Sequence, residues 1–296
     1  MCRKIWYTGK GIGASGNKIA KPEYKQEKEA YARLVANWNE YVQQLGREEL
    51  NYFHWYHVID LGNGIFTPGD FDYRGCLDEY HFPQNMTGMK VLDVGSATGF
   101  FAFEFERRGA QVISVELPSF EQWDMSNSDK DRILNELEQE HHAATAEEAS
   151  YRHLRAPFQF CRETLGSHVR RVYSTVYDLT PETLGETDFD LIFVGDVLLH
   201  LFSPLKAMDM LAPLCRGTLV ISTFFFESFE NAPYLYFAGN ESQDGDSRTW
   251  WIFSDQAMRD MLRRVGFKDM TIVGTCQMVR NRVWTPYRTQ IVHAHK

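Results

Sequence analysis

The stretch from Lys90 to Glu116, KVLDVGSATGFFAFEFERRGAQVISVE, constrains the fold of this chain more than any other part of the sequence. Residues 91–94 form a short apolar run with β-branched residues, which predicts a buried parallel strand. Residues 100–108 have the spacing of an amphipathic helix, and residues 111–115 form a second β-branched run that stops at the acid. Strand, small-residue turn, helix, strand and acid, in this order, predict a nucleotide-binding βαβ unit.

The turn at residues 95–99 and the acids on either side of it predict which nucleotide binds. Small residues let the backbone approach a ligand, and the start of the helix offers free N–H groups. Glu116 follows the turn by roughly 20 residues, where a carboxylate accepts hydrogen bonds from ribose hydroxyls. Asp93 precedes the turn, and its charge would repel a pyrophosphate but attract an ammonium or sulfonium group. A Rossmann-type turn for another nucleotide, or for none, is the alternative.

This turn resembles motif I of the class I S-adenosylmethionine (SAM)-dependent methyltransferases, L-D-x-G-x-G-x-G. The residues that match are Leu92, Asp93, Gly95 and Gly99, while Ala97 replaces the middle glycine and narrows the loop by one methyl group. The resemblance implies a Rossmann-like α/β fold with SAM as the cofactor.

Strands and helices alternate through the rest of the chain. The predicted strands are 171–177, 189–194 and 218–223, then an antiparallel pair at 267–276 and 287–293. Helices are predicted at 158–170, 203–214 and 254–266. Such alternation predicts a seven-stranded, mostly parallel sheet with helices on both faces.

The segments outside this sheet divide the chain further. Residues 1–21 are expected to be mobile, and residues 22–296 to form one domain. Within it, residues 22–89 supply an N-terminal helix (22–45) and a substrate-side loop. That helix would pack on the fold or form a homodimer seam. The acidic segment 118–170 is expected to be a helical insert, either a solvated face or a lid over the adenosine.

Composition narrows the function and the compartment. A formal net charge of −9 and a pI near 5.6 count against a general nucleic-acid binder. No apolar run approaches the roughly 20 residues of a membrane span, and the N-terminus does not resemble a signal peptide. The five cysteines are scattered without C-x-x-C spacing, so we expect a reduced cytoplasm, no disulfide framework and no zinc knuckle.

A second resemblance is to the bacterial tRNA wobble-uridine (carboxy)methyltransferases, from about Trp55 to the C-terminus. It rests on FDLIFVGDVLLHLFSPL within residues 172–205, and on the segments 231–236 and 257–267. Members of that family use a carboxylated SAM. They bind its extra carboxylate with a lysine before the core, a tyrosine just before the strand-four histidine and a late arginine. Here Leu199 occupies the tyrosine position, residues 55–68 contain no lysine, and only Arg288 could match the arginine. A carboxylate buried without its partners is disfavoured, so we expect ordinary SAM.

The cofactor is expected beyond the carboxyl ends of the strands. The second resemblance implies that Val176 and Tyr177 hold the adenine. The predicted cofactor-binding residues are Asp93, Gly95, Ser96, Ala97, Gly99, Glu116, Leu117, Val176, Tyr177 and Asp196. If the acceptor must lose a proton, His200 is the first candidate base and His57 the second. A helix-entry histidine bonded to backbone is the alternative for His200.

Residues 51–68 are dense in aromatic and histidine side chains and are expected to form a loop or short hairpin folded over the cofactor or acceptor site. His57-x-x-Asp60 with His54 lacks a further ligand, and satisfied polar side chains are the commoner arrangement, so no metal site is expected. The predicted substrate-binding residues are Trp55, Tyr56, Thr67, Glu227, Asn231 and Trp251.

The acceptor is expected to be a small molecule, a sugar or a glycoconjugate, methylated on oxygen or nitrogen. W-Y-H, T-P-G and W-W in this chain resemble uncharacterised bacterial methyltransferases of tailoring or glycoconjugate chemistry. The alternatives are a tRNA substrate, and a non-catalytic nucleotide binder or an oxidoreductase.

Overall fold

The computed structural model describes residues 24–226, 232–239 and 248–296. The helices in these ranges are α1 (Lys25–Leu45), α2 (Phe100–Arg107), α3 (Lys130–Glu140), α4 (Ala146–Ser150), α5 (Ala156–Thr164), α6 (Pro181–Leu184), α7 (Pro204–Leu211) and α8 (Asp255–Arg264). The strands are β1 (Lys90–Val94), β2 (Gln111–Glu116), β3 (Arg170–Tyr173), β4 (Phe189–Gly195), β5 (Cys215–Thr223), β6 (Phe225–Phe226), β7 (Leu235–Phe237), β8 (Trp251–Ser254), β9 (Asp269–Val279) and β10 (Pro286–His295). The segment predicted to be mobile, 1–21, lies outside the described residues.

Seven strands form one sheet in the order β3-β2-β1-β4-β5-β10-β9. The first five pair in parallel, and β10 is antiparallel to both β5 and β9. This confirms the predicted fold, including the antiparallel pair at the end of the chain. Val94 of β1 lies beside Val115 on one side and Val194 on the other, so the strand order reverses here. A crevice at the carboxyl ends of the strands is expected at such a reversal.

Alternate residues of the strands enter two different cores because a strand points successive side chains to opposite faces. Val91 and Phe193 pack with the aromatic side chains of α2 on one face. Leu92 and Ile192 pack with apolar residues of α7 and α8 on the other. The sheet is therefore covered on both sides, which explains why its strands read as continuous apolar runs.

The N-terminal helix and the insert both pack onto this framework. Trp38 of α1 is buried, with its ring 4.9 Å from that of Trp55, so part of the apolar stripe of α1 is covered by its own chain. The homodimer seam stays a prediction. The insert has a small core of its own, formed by Phe120, Met125, Ile133, Leu137, Ala149 and Leu154. Within the described ranges, no helix combines the length and apolarity needed to cross a bilayer.

The expectation of no disulfide was wrong. Cys76 and Cys276 form a disulfide, with their Cα atoms 5.3 Å apart and 200 residues between them in sequence. The pair forms because β9 passes beside the short helical turn Leu77–Tyr80. Scattered cysteines carry no spacing signal for such a contact.

Two elements are shorter than predicted. The third strand ends at Tyr173 rather than at residue 177, and residues 176–178 form a single helical turn. The helix predicted at 158–170 is α5, which ends at Thr164. The shorter strand places Val176 and Tyr177 in a turn at the carboxyl edge of the sheet, not in the sheet itself.

Candidate active site

A crevice opens at the carboxyl ends of β1, β2 and β4 and is closed on one side by the insert. Most predicted site residues line it: Tyr56, His57, Asp93, Gly95, Ser96, Ala97, Glu116, Leu117, Val176, Tyr177, Asp196 and His200. Others that sequence reasoning did not single out also line it, among them Tyr73, Gln122, Trp123, Asp124, His153 and Ser174.

The glycine turn requires left-handed backbone at three positions. The φ angles of Gly95, Ala97 and Gly99 are 72°, 45° and 94°. A Cβ on Gly95 would lie 2.3 Å from Cγ2 of Val197, so only glycine fits there. Ala97 adopts a conformation that costs an L-residue about 1–2 kcal/mol, which explains why glycine usually occupies this position in motif I.

Glu116 is held rigidly at the end of β2. Its Oε2 accepts a hydrogen bond from the N–H of Ala97 and its Oε1 accepts one from the N–H of Leu117, both at 2.8 Å. Each carboxylate oxygen has a second lone pair, so the group can still accept from ribose hydroxyls.

Arg171 braces the turn from within the protein, and sequence reasoning missed it. Its side chain is only 6% exposed, and its guanidinium donates to Ser114 Oγ at 2.8 Å and to the carbonyl oxygens of Ala97 at 2.8 Å and Leu154 at 2.9 Å. One of its nitrogens lies 3.9 Å from Oε2 of Glu116. From sequence alone, an arginine near the end of a strand cannot be distinguished as a buried hydrogen-bond donor or a solvent-exposed side chain.

Asp93 is the site's most perturbed acid. It is 1% exposed, and its Oδ2 has no hydrogen-bond partner among the described residues. Burial raises the pKa of its carboxyl to about 8, Arg171 opposes that rise and Glu116 adds to it. An unpartnered buried carboxyl oxygen at a crevice fits the cationic amino-acid end of SAM, because a cation would both pair with it and favour its ionised form.

The insert and the turn after β3 form the opposite wall. The hydroxyl of Tyr177 donates to Oδ2 of Asp124 at 2.6 Å, and the N–H of Trp250 Nε1 donates to the Asp124 carbonyl at 2.7 Å. Asp124 thereby connects the insert to the turn and to the segment before β8. The predicted adenine residues thus lie against the insert, the position that a lid would occupy.

Asp196 also adopts left-handed backbone, with φ 51°. Its carboxylate accepts from the Tyr287 hydroxyl and from Thr289 Oγ1, the latter at 3.1 Å. Burial raises the pKa of Asp196, and the hydrogen bonds from Tyr287 and Thr289 oppose the shift. Non-glycine residues in such a conformation cluster at functional sites.

The two candidate bases differ in their surroundings. Nδ1 of His200 lies 2.7 Å from the carbonyl oxygen of Arg248. A carbonyl only accepts, so Nδ1 carries the proton and Nε2 holds the lone pair in the neutral ring. His57 is 4% exposed, and burial lowers its pKa to about 3. Its Nδ1 has no partner within the described part of the chain. His57 is therefore a weak base but remains a hydrogen-bonding group at the crevice.

Several predicted residues are not brought to the crevice. Trp55 is buried and donates from Nε1 to the Leu50 carbonyl at 3.0 Å. Thr67 is fully buried and donates to the His57 carbonyl at 2.7 Å, so it supports the loop that carries His57.

Two further predicted residues of the described ranges also lie away from the crevice. Gly99 packs against Phe158, and Trp251 lies in β8 with its Nε1 3.3 Å from the Phe202 carbonyl oxygen. Glu227 and Asn231 lie outside the described residues. Neither Gly99 nor Trp251 is among the described residues that line the crevice.

Comparison with known proteins defines the class. Residues 72–272 match the family model described as "Methyltransferase domain", which covers more than half of the chain. The chain belongs to this family and is a class I SAM-dependent methyltransferase. SAM is its cofactor.

Individual relatives are more distant. The chain is 27% identical over 203 residues to a tRNA U34 carboxymethyltransferase of Dichelobacter nodosus, which covers 67% of this chain. The chain spans only 51% of that relative's length. Among solved structures, the N-terminal domain of EvdMO1 with bound S-adenosylhomocysteine (SAH) matches at TM-score 0.53 and 14% identity, over 86% of this chain and 96% of that one. The same domain in the presence of SAH and D-fucose matches at TM-score 0.51 and 14% identity, over 86% and 97% of the two chains.

Proposed function

We propose that this protein transfers the methyl group of ordinary SAM to an oxygen or nitrogen atom of a small-molecule or sugar acceptor. The observation that carries the proposal is the lining of the crevice beyond the cofactor turn. Tyr56, His57, Tyr73 and His200 meet there, and no lysine or arginine lines the crevice in the described ranges. A lining of aromatic and polar side chains, with the carboxyl groups of Asp124 and Asp196 and no cation in the described lining beside them, suits a compact uncharged acceptor better than a phosphate backbone.

The same lining supports ordinary SAM over its carboxylated form. Leu199, at the tyrosine position of the carboxymethyltransferase family, is buried and 1% exposed. Arg288, the one match for the late arginine, lies on the exposed side of β10, while its neighbours Tyr287 and Thr289 face Asp196. An extra carboxylate in the crevice would lack the cations that its burial requires.

SAM supplies a methyl group already activated by its sulfonium, so the protein has mainly to align the acceptor and remove a proton. We assign the proton to Nε2 of His200, because Nδ1 is committed to the Arg248 carbonyl. The carboxyl of Asp196 interacts electrostatically with His200, which stabilises the imidazolium that forms on proton transfer. His57 would orient the acceptor by a hydrogen bond from its buried ring.

Two measurements test this proposal. Calorimetric titration should give micromolar binding of SAM and SAH, and carboxylated SAM should bind at least tenfold more weakly. The purified enzyme should then produce SAH from SAM with a panel of sugar, phenol and amine acceptors, and the Asp93→Asn variant should be inactive. Tighter binding of carboxylated SAM, or turnover with no acceptor of this panel, would overturn the proposal.

A tRNA substrate is the second candidate, because the chain is similar to a tRNA U34 carboxymethyltransferase over 67% of its length. Unmodified tRNA should be tested in the same assay and in a gel shift at rising salt. Methylation of tRNA, with binding that weakens steeply as salt increases, would replace the small acceptor by tRNA.

We further propose a cytoplasmic location, because SAM is available there. The Cys76–Cys276 disulfide is unusual for that compartment, so the thiol state of the protein isolated from cells under acid quench tests the location.

A further inference from the structure

Three histidines from separate parts of the chain meet beside the crevice. His54 follows the helical turn Glu48–Tyr52, His141 ends α3, and His153 lies in the π-helical segment Tyr151–Arg155. One ring nitrogen from each lies within 4.8 Å of the others. Nδ1 of His153 is 3.0 Å from Nε2 of His141, and the rings of His54 and His153 stack at 4.1 Å. A π-helical segment is rare and is found frequently at functional sites.

Desolvation disfavours the charged form of each of the three rings. Burial lowers the pKa of His141 to about 4 and holds the pKa values of His54 and His153 well below the usual histidine range. A neutral imidazole has one nitrogen with an available lone pair, which is the form that binds a metal ion.

We propose that His54, His141 and His153 bind one transition-metal dication of the zinc type. Three imidazoles suit zinc, cobalt, nickel, copper and iron rather than magnesium or calcium. Zinc–nitrogen bonds of about 2.0–2.1 Å in a tetrahedron separate the ligand nitrogens by about 3.3 Å. The His141–His153 pair is already at 3.0 Å. Binding requires the His54 ring to turn out of its stack on His153 and its nitrogen to approach by about 1.5 Å from the present limit of 4.8 Å.

The charged side chains around the three histidines determine which fourth ligand the ion would bind. The guanidiniums that act on these histidines are those of Arg152, Arg248, Arg280 and Arg282. Among these, Arg152 pairs with Glu148 and Arg280 with Asp70. Positive neighbours weaken cation binding but favour an anionic fourth ligand. Three protein ligands leave a tetrahedral ion one open position, which in such sites takes water or a substrate oxygen.

The position of the site gives the ion a role in the reaction. His153 lines the crevice, and the N–H of His54 donates to the Arg152 carbonyl at 3.0 Å, so the cluster joins the insert to the segment that carries His57. An ion there would hold the insert closed over the crevice and present its open position to an acceptor oxygen. Lewis-acid binding would lower the pKa of an acceptor hydroxyl.

The test uses the whole protein after treatment with a chelator. Titration with Co²⁺ should give one equivalent of bound ion with visible absorption bands of a tetrahedral site, and Zn²⁺ should displace it. His54→Ala, His141→Ala and His153→Ala should each weaken Co²⁺ binding at least tenfold. His142→Ala and His168→Ala, which remove exposed histidines, are matched controls and should bind Co²⁺ as the wild type does.

Far-UV circular dichroism reports separately whether each variant is folded. Wild-type protein that binds no Co²⁺ or Zn²⁺ at micromolar concentrations overturns the site, as does full Co²⁺ binding by His141→Ala and His153→Ala. Because the cobalt absorption needs neither SAM nor acceptor, its outcome is independent of the proposed methyl acceptor. A cobalt site in a protein that methylates only tRNA would refute the proposed acceptor and leave the metal site standing.

Discussion

The carboxylate of Glu116 accepts a 2.8 Å hydrogen bond from the backbone N–H of Ala97. The acid at the end of β2 and the glycine turn after β1 are therefore one bonded unit, further tied together by the buried guanidinium of Arg171. Such pre-organisation reduces the ordering that cofactor binding would otherwise require.

Replacing this carboxylate should weaken the cofactor site without unfolding it. Glu116→Gln keeps the shape but loses the charge, and one of its two terminal atoms can no longer accept a hydrogen bond. Hydrogen bonds to charged groups contribute about 1.5–3 kcal/mol, so we expect SAM affinity to fall by roughly 10- to 100-fold in calorimetry. Glu121→Gln, at an exposed position of the insert, is the control, and equal affinities for the two variants would contradict the assignment.

SAM binding should release a proton from Asp93. Its pKa in the folded protein is about 8, so the free enzyme holds this carboxyl protonated at pH 7, and a bound ammonium or sulfonium group would favour ionisation. Affinity should therefore rise with pH, by at most tenfold per unit, and level off above pH about 8. Calorimetry at several pH values, in buffers of different ionisation enthalpy, measures both effects.

The carboxyl of Asp93 should also make the stability of the SAM-free protein depend on pH. A carboxyl whose pKa is raised on folding stabilises fully below its unfolded value of 3.8, and the contribution is lost as pH rises through about 8. Asp93→Asn has no proton to lose, so both its unfolding free energy and its SAM affinity should vary less with pH than those of the wild type. An unchanged pH dependence of SAM binding in this variant would place the proton elsewhere.

The His200→Asn variant tests whether His200 acts as a base or only supports the local structure. The asparagine amide can still donate to the Arg248 carbonyl, as Nδ1 does, but it cannot accept a proton. We expect kcat to fall by about 10²- to 10⁴-fold with SAM affinity unchanged, and the acidic limb of the pH–rate profile to disappear. His57→Asn should instead raise the acceptor KM and keep that limb, since a group with a pKa of about 3 is not titrating there. A normal rate for His200→Asn would exclude the base role.

Two substitutions in the turn should differ in how much they destabilise the protein. Ala97→Gly relieves a left-handed alanine but adds freedom to the unfolded chain, so we expect the free energy of unfolding to change by less than about 1 kcal/mol. Gly95→Ala places a methyl group 2.3 Å from Val197 on left-handed backbone and should cost more than about 2 kcal/mol. Urea unfolding of both variants measures the difference, and a tolerated alanine at position 95 would show that the turn can relax.

The Cys76–Cys276 disulfide should protect two thiols from alkylation. Under denaturing, non-reducing conditions three of the five cysteines should react, and all five should react after reduction. Reduction should lower the free energy of unfolding by about 2–4 kcal/mol. Cys161→Ser, which removes a buried free thiol, should leave two reactive cysteines without reduction and serves as the control. Five reactive cysteines in the unreduced protein would contradict the disulfide.

The sequence alone predicted the βαβ unit, the order of strands and helices, and the two acids that flank the turn. These features depend on residues that are close in the chain, because apolar periodicity and turn residues report local backbone structure. Glu116 could be placed at the carboxyl edge of the sheet because the apolar run of β2 ends there. The end of β3 at Tyr173 was not predicted, because it depends on how the following turn folds back onto the sheet.

Only the tertiary structure decided which distant residues meet. Four contacts join parts of the chain that share no local sequence pattern. They are Arg171 with the turn, Tyr287 with Asp196, Cys76 with Cys276, and His54 with His153. Trp55 belongs to the same group, because burial against α1 rather than residue type keeps it out of the crevice. The sequence determines the chemistry of each side chain. Packing between elements determines which of these groups are desolvated and which partners they contact.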